Sequence, residues 1–136
     1  MIPAKGETLD ITSSFDNIRL VERLVEDVCD VFNVNEDSYG NILIAVTEAV
    51  NNAIYHGNQG NPDKHIKIGF DSGKDNIRFS VTDEGHGFDY NSLPDPTDPI
   101  NIDKPHGRGV FLMKNLADKV EFNHNGQEVL LTFNVN

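Results

Sequence analysis

Hydrophobic and polar residues alternate along this chain with two different periods, and the switches between them mark out its elements. Ile66, Ile68 and Phe70 alternate with polar neighbours, as do Ile77, Phe79 and Val81, the period-two pattern of half-buried strands. Asp71-Ser-Gly-Lys-Asp-Asn76 between them reads as a hairpin connection. A weaker strand pattern runs from about Glu7 to Thr12. Val120 to Phe122 and Val129 to Val135 supply two last strands, joined at Asn123-His-Asn-Gly126. Helical spacing appears first at Ile18, Val21, Leu24, Val25, Val28, Val31 and Phe32, with Ser13 or Ser14 placed to cap that helix. A second helix is expected from about Asp37 to His56, with Gly57 as its stop. A third is expected from Gly109 to about Ala117.

The second helix carries an irregularity. Ile42, Ala45, Val46, Ala49 and Ala53 share one face, the expected core side, while Glu48, Asn52 and Tyr55 lie along an adjacent edge. A carboxylate and a carboxamide four residues apart point the same way, offset by about 40° around a helix. Packing a small domain does not require that pair. Gripping a phosphate-bound Mg²⁺ through the Asn52 oxygen, and activating a hydroxyl or water with Glu48, would. A solvated helix edge is the bland alternative, about as good for this motif alone.

At 136 residues the chain is expected to form one domain, 1–136. Its net charge of −11 argues against a nucleic-acid surface and disfavours anionic membranes. An anionic ligand can still be held where Mg²⁺ and backbone amides meet it locally. Cys29 is the only cysteine, so neither an intrachain disulfide nor a CxxC site can form. The first residues show no apolar signal core and no run approaches a membrane span. These features point to a cytoplasmic enzyme or binding domain.

Two glycine motifs extend the candidate chemistry. Asp83-Glu-Gly85-His-Gly87 follows directly on a strand, where the Asp can accept a hydrogen bond from an exocyclic amine such as adenine N6 and the glycines admit a flat base. Gly107-Arg108-Gly109 opens the last helix, whose free amides make an anion site, with Arg108 and Lys104 as candidate phosphate contacts. From Asp89 to His106 the chain holds Pro94, Pro96, Pro99 and Pro105 with little periodicity, the composition of a functional lid or of a disordered stretch. A hairpin turn and a flexible loop end are the plain alternatives for the two glycine motifs.

The order of these parts resembles the N box, G1 box, lid and G2 box of the GHKL (Bergerat-fold) ATP-binding family. Glu48-Ala-Val-Asn-Asn52-Ala-Ile-Tyr-His56-Gly57 and Gly107-Arg-Gly-Val-Phe-Leu-Met113 are most similar to its anti-sigma-factor serine/threonine kinases. That resemblance implies an α+β, two-layer sandwich of mixed, mostly antiparallel sheet covered on one face by about three helices. It implies ATP and Mg²⁺ as cofactors and gives each candidate a role. Glu48 matches the catalytic base, Asn52 the Mg²⁺ ligand, Asp83 the adenine-binding acid, Gly85 and Gly87 the positions beside the base, and Gly107 and Gly109 the glycines at the phosphates. Residues 1–36 would form a strand-helix partner and dimer region, with Arg19 a candidate contact, and 88–108 the ATP lid. The implied partners are a sigma factor and a STAS-domain antagonist phosphorylated on serine, and the implied state is a homodimer. A nucleotide-gated binding module with little catalysis, or a histidine-kinase ATP-binding domain acting in trans, are the competing readings.

Overall fold

The computed structural model describes residues 8–85 and 105–135, with side chains from 109 onward in the second segment except Asn125. The periodic segments form the elements their patterns predict. The strands are β1 (Thr8–Thr12), β2 (His65–Ser72), β3 (Asn76–Thr82), β4 (Lys119–Asn123) and β5 (Glu128–Asn134). The helices are α1 (Ile18–Val31), α2 (Glu36–Asn52) and α3 (Pro105–Leu116). The sheet order is β1-β2-β3-β5-β4. Each pairing is antiparallel, so among the described residues the sheet is antiparallel throughout rather than mixed.

One face of this sheet is apolar and the helices cover it. Ile66 and Ile68 of β2, Ile77, Phe79 and Val81 of β3, and Val129, Leu131 and Phe133 of β5 are buried together. Phe79 sits at the centre, its ring 6.4 Å from both Phe70 and Phe133. Above it α2 places Ile42, Ala45, Val46, Ala49 and Val50, and α1 adds Val21, Leu24, Val25 and Val28. Alanine at 45, 49 and 53 keeps the α2 backbone close to the sheet. Residues of alternate register, such as Asp10, Lys67, Thr82 and Glu128, form a polar row on the opposite face.

Helix ends depart from the simplest reading in four places. Ser14 caps a short 3-10 turn, Phe15–Asn17, that precedes α1, while Ser13 is buried. Helix α2 begins at an Asn35 cap whose Oδ1 accepts the Ser38 N–H at 2.8 Å, with Glu36 and Asp37 in its positive first turn. Past Asn52 it widens into a π turn, Ala53–Gly57, of which Gly57 is the last residue rather than a left-handed stop beyond it. Gln59 and Gly60 carry the left-handed φ values of 54° and 69°, and the Gly60 N–H returns to the Ile54 carbonyl at 2.7 Å. Helix α3 starts at Pro105, four residues before the apolar pattern, because proline suits the first helical position.

Candidate functional site

Helix α2 presents Glu48 and Asn52 on the edge facing α3, and Gly109 of α3 lies directly against them. A Cβ built on Gly109 would stand 3.0 and 3.2 Å from the two polar atoms of the Asn52 carboxamide and 3.1 Å from Glu48 Oε2. The absence of a side chain there lets the last helix meet the polar pair through its backbone. The Asn52 Nδ2 is buried with no hydrogen-bond partner among the described residues. As placed, that nitrogen is a donor without an acceptor, and a flip of the carboxamide would bring the oxygen to the same position. A buried polar atom without a partner is costly, and a ligand that satisfies it recovers that cost. Asn52 therefore fits a metal or phosphate neighbour.

At the other end of the same pocket stands Asp83. The pocket between Asn52 and Asp83 encloses a cavity of about 20 Å³. Asn52, Asp83 and Gln127 supply its polar edges, and Ala49, Ala53, Val81, Met113 and Val129 its apolar lining. Its apolar lining and edge carboxylate match the ring faces and exocyclic amine of a purine in chemistry. The Asp83 Oδ1 accepts the Gly85 N–H at 2.8 Å, and the Asp83 N–H donates to the Gln127 carbonyl at 3.0 Å. Gln127 Nε2 also donates to the Gly85 carbonyl. Burial pushes the Asp83 carboxyl above the usual range, opposed by the Gly85 N–H and by Lys64. Burial also holds His56, in the π turn, below the ordinary imidazole value.

The turn after β3 packs against the end of α2 with no side chain between them. A Cβ on Gly57 would overlap the Asp83 carboxylate, and one on Gly85 would overlap the Gly57 carbonyl. Gly85 thus serves a backbone-on-backbone contact, and Gly57, read from sequence as a helix stop, is the other half of it. Gly107 lies inside the first turn of α3, not ahead of it, as does Arg108, whose side chain is outside the described residues. Gly87, Lys104 and most of the expected lid also lie outside them. Arg19 is exposed on the first turn of α1, away from the pocket lining.

Three residues of the site's frame were not read from the sequence as part of it, and one of them, Ser13, was a candidate helix cap instead. Asn58, in a stretch that composition marks as loop, is completely buried. Its Nδ2 donates to Ser13 Oγ at 2.6 Å and to the His65 carbonyl at 3.0 Å, and its Oδ1 accepts the Glu84 N–H at 2.8 Å. Ser13 closes the unit by donating through Oγ to the Lys64 carbonyl at 2.9 Å. Gln127, between the two last strands, holds the Asp83 turn from the opposite side. Only tertiary structure shows what these three residues meet. Among the described residues no cluster of His, Cys, Asp and Glu could hold a metal by itself, and no helix is long and apolar enough to cross a membrane.

Comparison with known proteins agrees with this architecture. The family described as histidine kinase-like ATPase domain matches residues 11–133. The chain is 29% identical to the serine-protein kinase RsbW of Oceanobacillus iheyensis, over 90% of this chain and 76% of that protein. It is 30% identical to RsbW of Bacillus cereus, over 96% and 80% respectively, and 28% identical to RsbW of Bacillus subtilis, over 96% and 81%. Among solved structures, that of the RsbU and RsbW domains of a Mycobacterium tuberculosis protein superposes with a TM-score of 0.58 at 17% identity. The match covers 93% of this chain and 31% of that one, and shares its fold.

Two outcomes follow from the geometry. Gly109→Ala should leave thermal stability equal or slightly higher, since alanine is favoured over glycine in helices by about 1 kcal/mol. Its methyl group should nevertheless press on Glu48 and Asn52 and weaken Mg²⁺-ADP binding about tenfold, or about 1.4 kcal/mol, by calorimetry. The raised Asp83 carboxyl gives the second. A carboxyl raised on folding favours the fold below its unfolded value, and that contribution is lost as pH rises through the folded one. Asp83→Asn should therefore leave the ligand-free protein at least as stable at pH 7, with the difference from wild type vanishing below about pH 4 in thermal melts.

Proposed function

The chain belongs to the histidine kinase-like ATPase domain family, and from that premise we propose that it is a Mg²⁺-ATP-dependent protein serine/threonine kinase of the anti-sigma-factor type. The family's ATPase domain implies ATP binding. The observation that carries the rest is the meeting of Glu48, Asn52 and Gly109 beside an apolar slot ending in Asp83. Asp83 would accept the adenine amine, with Gly85 and Gly87 alongside the base. The triphosphate would run towards Asn52 and the first turn of α3, where Gly107 and Gly109 admit it and the Arg108 and Lys104 cations meet it.

Asn52 would offer its carboxamide oxygen to Mg²⁺, which would supply neutralisation of the phosphate charge. Phosphoryl transfer depends mainly on such positioning and neutralisation. Glu48, one turn before Asn52, would orient the acceptor serine and take its proton as the oxygen attacks the γ-phosphorus and ADP departs. Segment 88–108 would act as lid. The similarity to RsbW kinases supports a sigma factor and a STAS-domain antagonist as partners, held through residues 1–36 with Arg19 at the contact. It likewise supports a homodimer in the cytoplasm. Because both partners would use one nucleotide-bearing surface, ATP or ADP would decide which is held.

Two substitutions divide the roles. Glu48→Ala should keep ATP affinity within about twofold and lower phosphoryl transfer at least about a hundredfold, measured by mass spectrometry of a co-incubated STAS-domain protein. Unchanged transfer would refute the base, and wild-type protein with no transfer would favour a nucleotide-gated clamp. Asn52→Ala should flatten the Mg²⁺ dependence of ATP binding, so an unaltered Mg²⁺ titration would count against the ligand role.

A further inference from the structure

We propose that Asn58 is a positioning residue for base selectivity: it sets the pose of Asp83 from outside the pocket. The proposal rests on the reading of Asp83 as the adenine contact. Asn58 is fully buried, yet it does not line the pocket. Its three side-chain hydrogen bonds tie together the end of β1, the start of β2 and the turn after β3. Its orientation is fixed by its surroundings: the His65 carbonyl demands a donor and the Glu84 N–H demands an acceptor. Its own backbone N–H is spent on the Ala53 carbonyl at 2.8 Å, inside the π turn.

The consequence for the pocket lies one residue to either side. Asn58 follows Gly57, whose backbone abuts the Asp83 carboxylate, and it grips the amide of Glu84, which follows Asp83. The turn 83–85 is thus clamped twice, by Asn58 on the α2 side and by Gln127 on the β5 side. With Oδ1 of Asp83 occupied by the Gly85 N–H, the direction of the remaining oxygen is set by where that turn is held. Polar groups placed for one hydrogen-bonding edge reject the analogue that lacks it, and they do so only while their aim is fixed. Loss of the Asn58 clamp frees the Glu84 end of the turn and with it that aim. The apolar lining that holds any purine is left in place.

The test compares ADP with inosine diphosphate, which carries a carbonyl where adenine has its amine, by calorimetry with Mg²⁺ well below the melting temperature. Wild type should prefer ADP. Asn58→Ala should lower ADP affinity at least about tenfold and leave inosine diphosphate within about twofold, so that the preference collapses. If Asn58→Ala does not fold, Asn58→Ser, which keeps a polar group too short to reach Glu84, is read in the same way. In an Asp83→Asn background the Asn58 substitution should change the ratio no further, as expected of residues acting in series. A retained ADP preference, or an equal loss for both nucleotides, would overturn the positioning role and leave Asn58 purely structural. An Asp83→Asn protein with unchanged ADP preference would instead overturn the adenine contact itself.

Discussion

A helix end and a strand end must touch here with nothing between them. Gly57 closes the π turn beyond α2 and Gly85 follows β3: the Gly57 backbone occupies the space a side chain on Gly85 would need, and the Asp83 carboxylate the space of one on Gly57. Close approach of this kind brings the Asp83 carboxylate against the same helix that carries Glu48 and Asn52. Two ends of one site are thereby fixed relative to a single rigid element. The widening of the helix at Ala53–Gly57 belongs to the same arrangement. π turns shift the helical register by one residue and are frequent at functional sites.

The buried amide of Asn58 makes that contact durable. Two peptide groups and one hydroxyl from separate segments converge on its side chain, and each gains a hydrogen bond there. The resulting network is fully satisfied, whereas the Asn52 carboxamide beside it is not. This contrast is informative. Behind the pocket the frame has its hydrogen bonds complete, while the candidate ligand-binding group in its lining has one to spare among the described residues. The overall acidity of the chain is compatible with an anionic ligand where backbone amides and a metal meet it locally.

Much of this could be read from residue order. Period-two alternation at Ile66, Ile68 and Phe70 and at Ile77, Phe79 and Val81 placed two strands, and the apolar face of α2 was legible because Ile42, Val46 and Ala49 obey helical spacing. The proximity of Glu48 to Asn52 followed from the same spacing. Their meeting with Gly109 was implied only through family resemblance, since no local pattern says which helix packs on which. Gly57 was misread as a stop because its steric role depends on Asp83, 26 residues downstream. Asn58 was invisible for a related reason. An asparagine in a polar, glycine-containing stretch looks like any loop residue until three distant segments close around it.

The end of β1 has a bearing on how far this domain can be cut. Ser13 is tied to Lys64 and Asn58, and Asn58 to the turn that carries the base-facing acid. Trimming from the amino end past Thr12 would therefore remove more than a sheet edge, because it withdraws a bolt from the nucleotide slot. A fragment able to keep that slot intact begins at β1 and must run on past Val129, so recognition of the base is a property of nearly the whole folded chain.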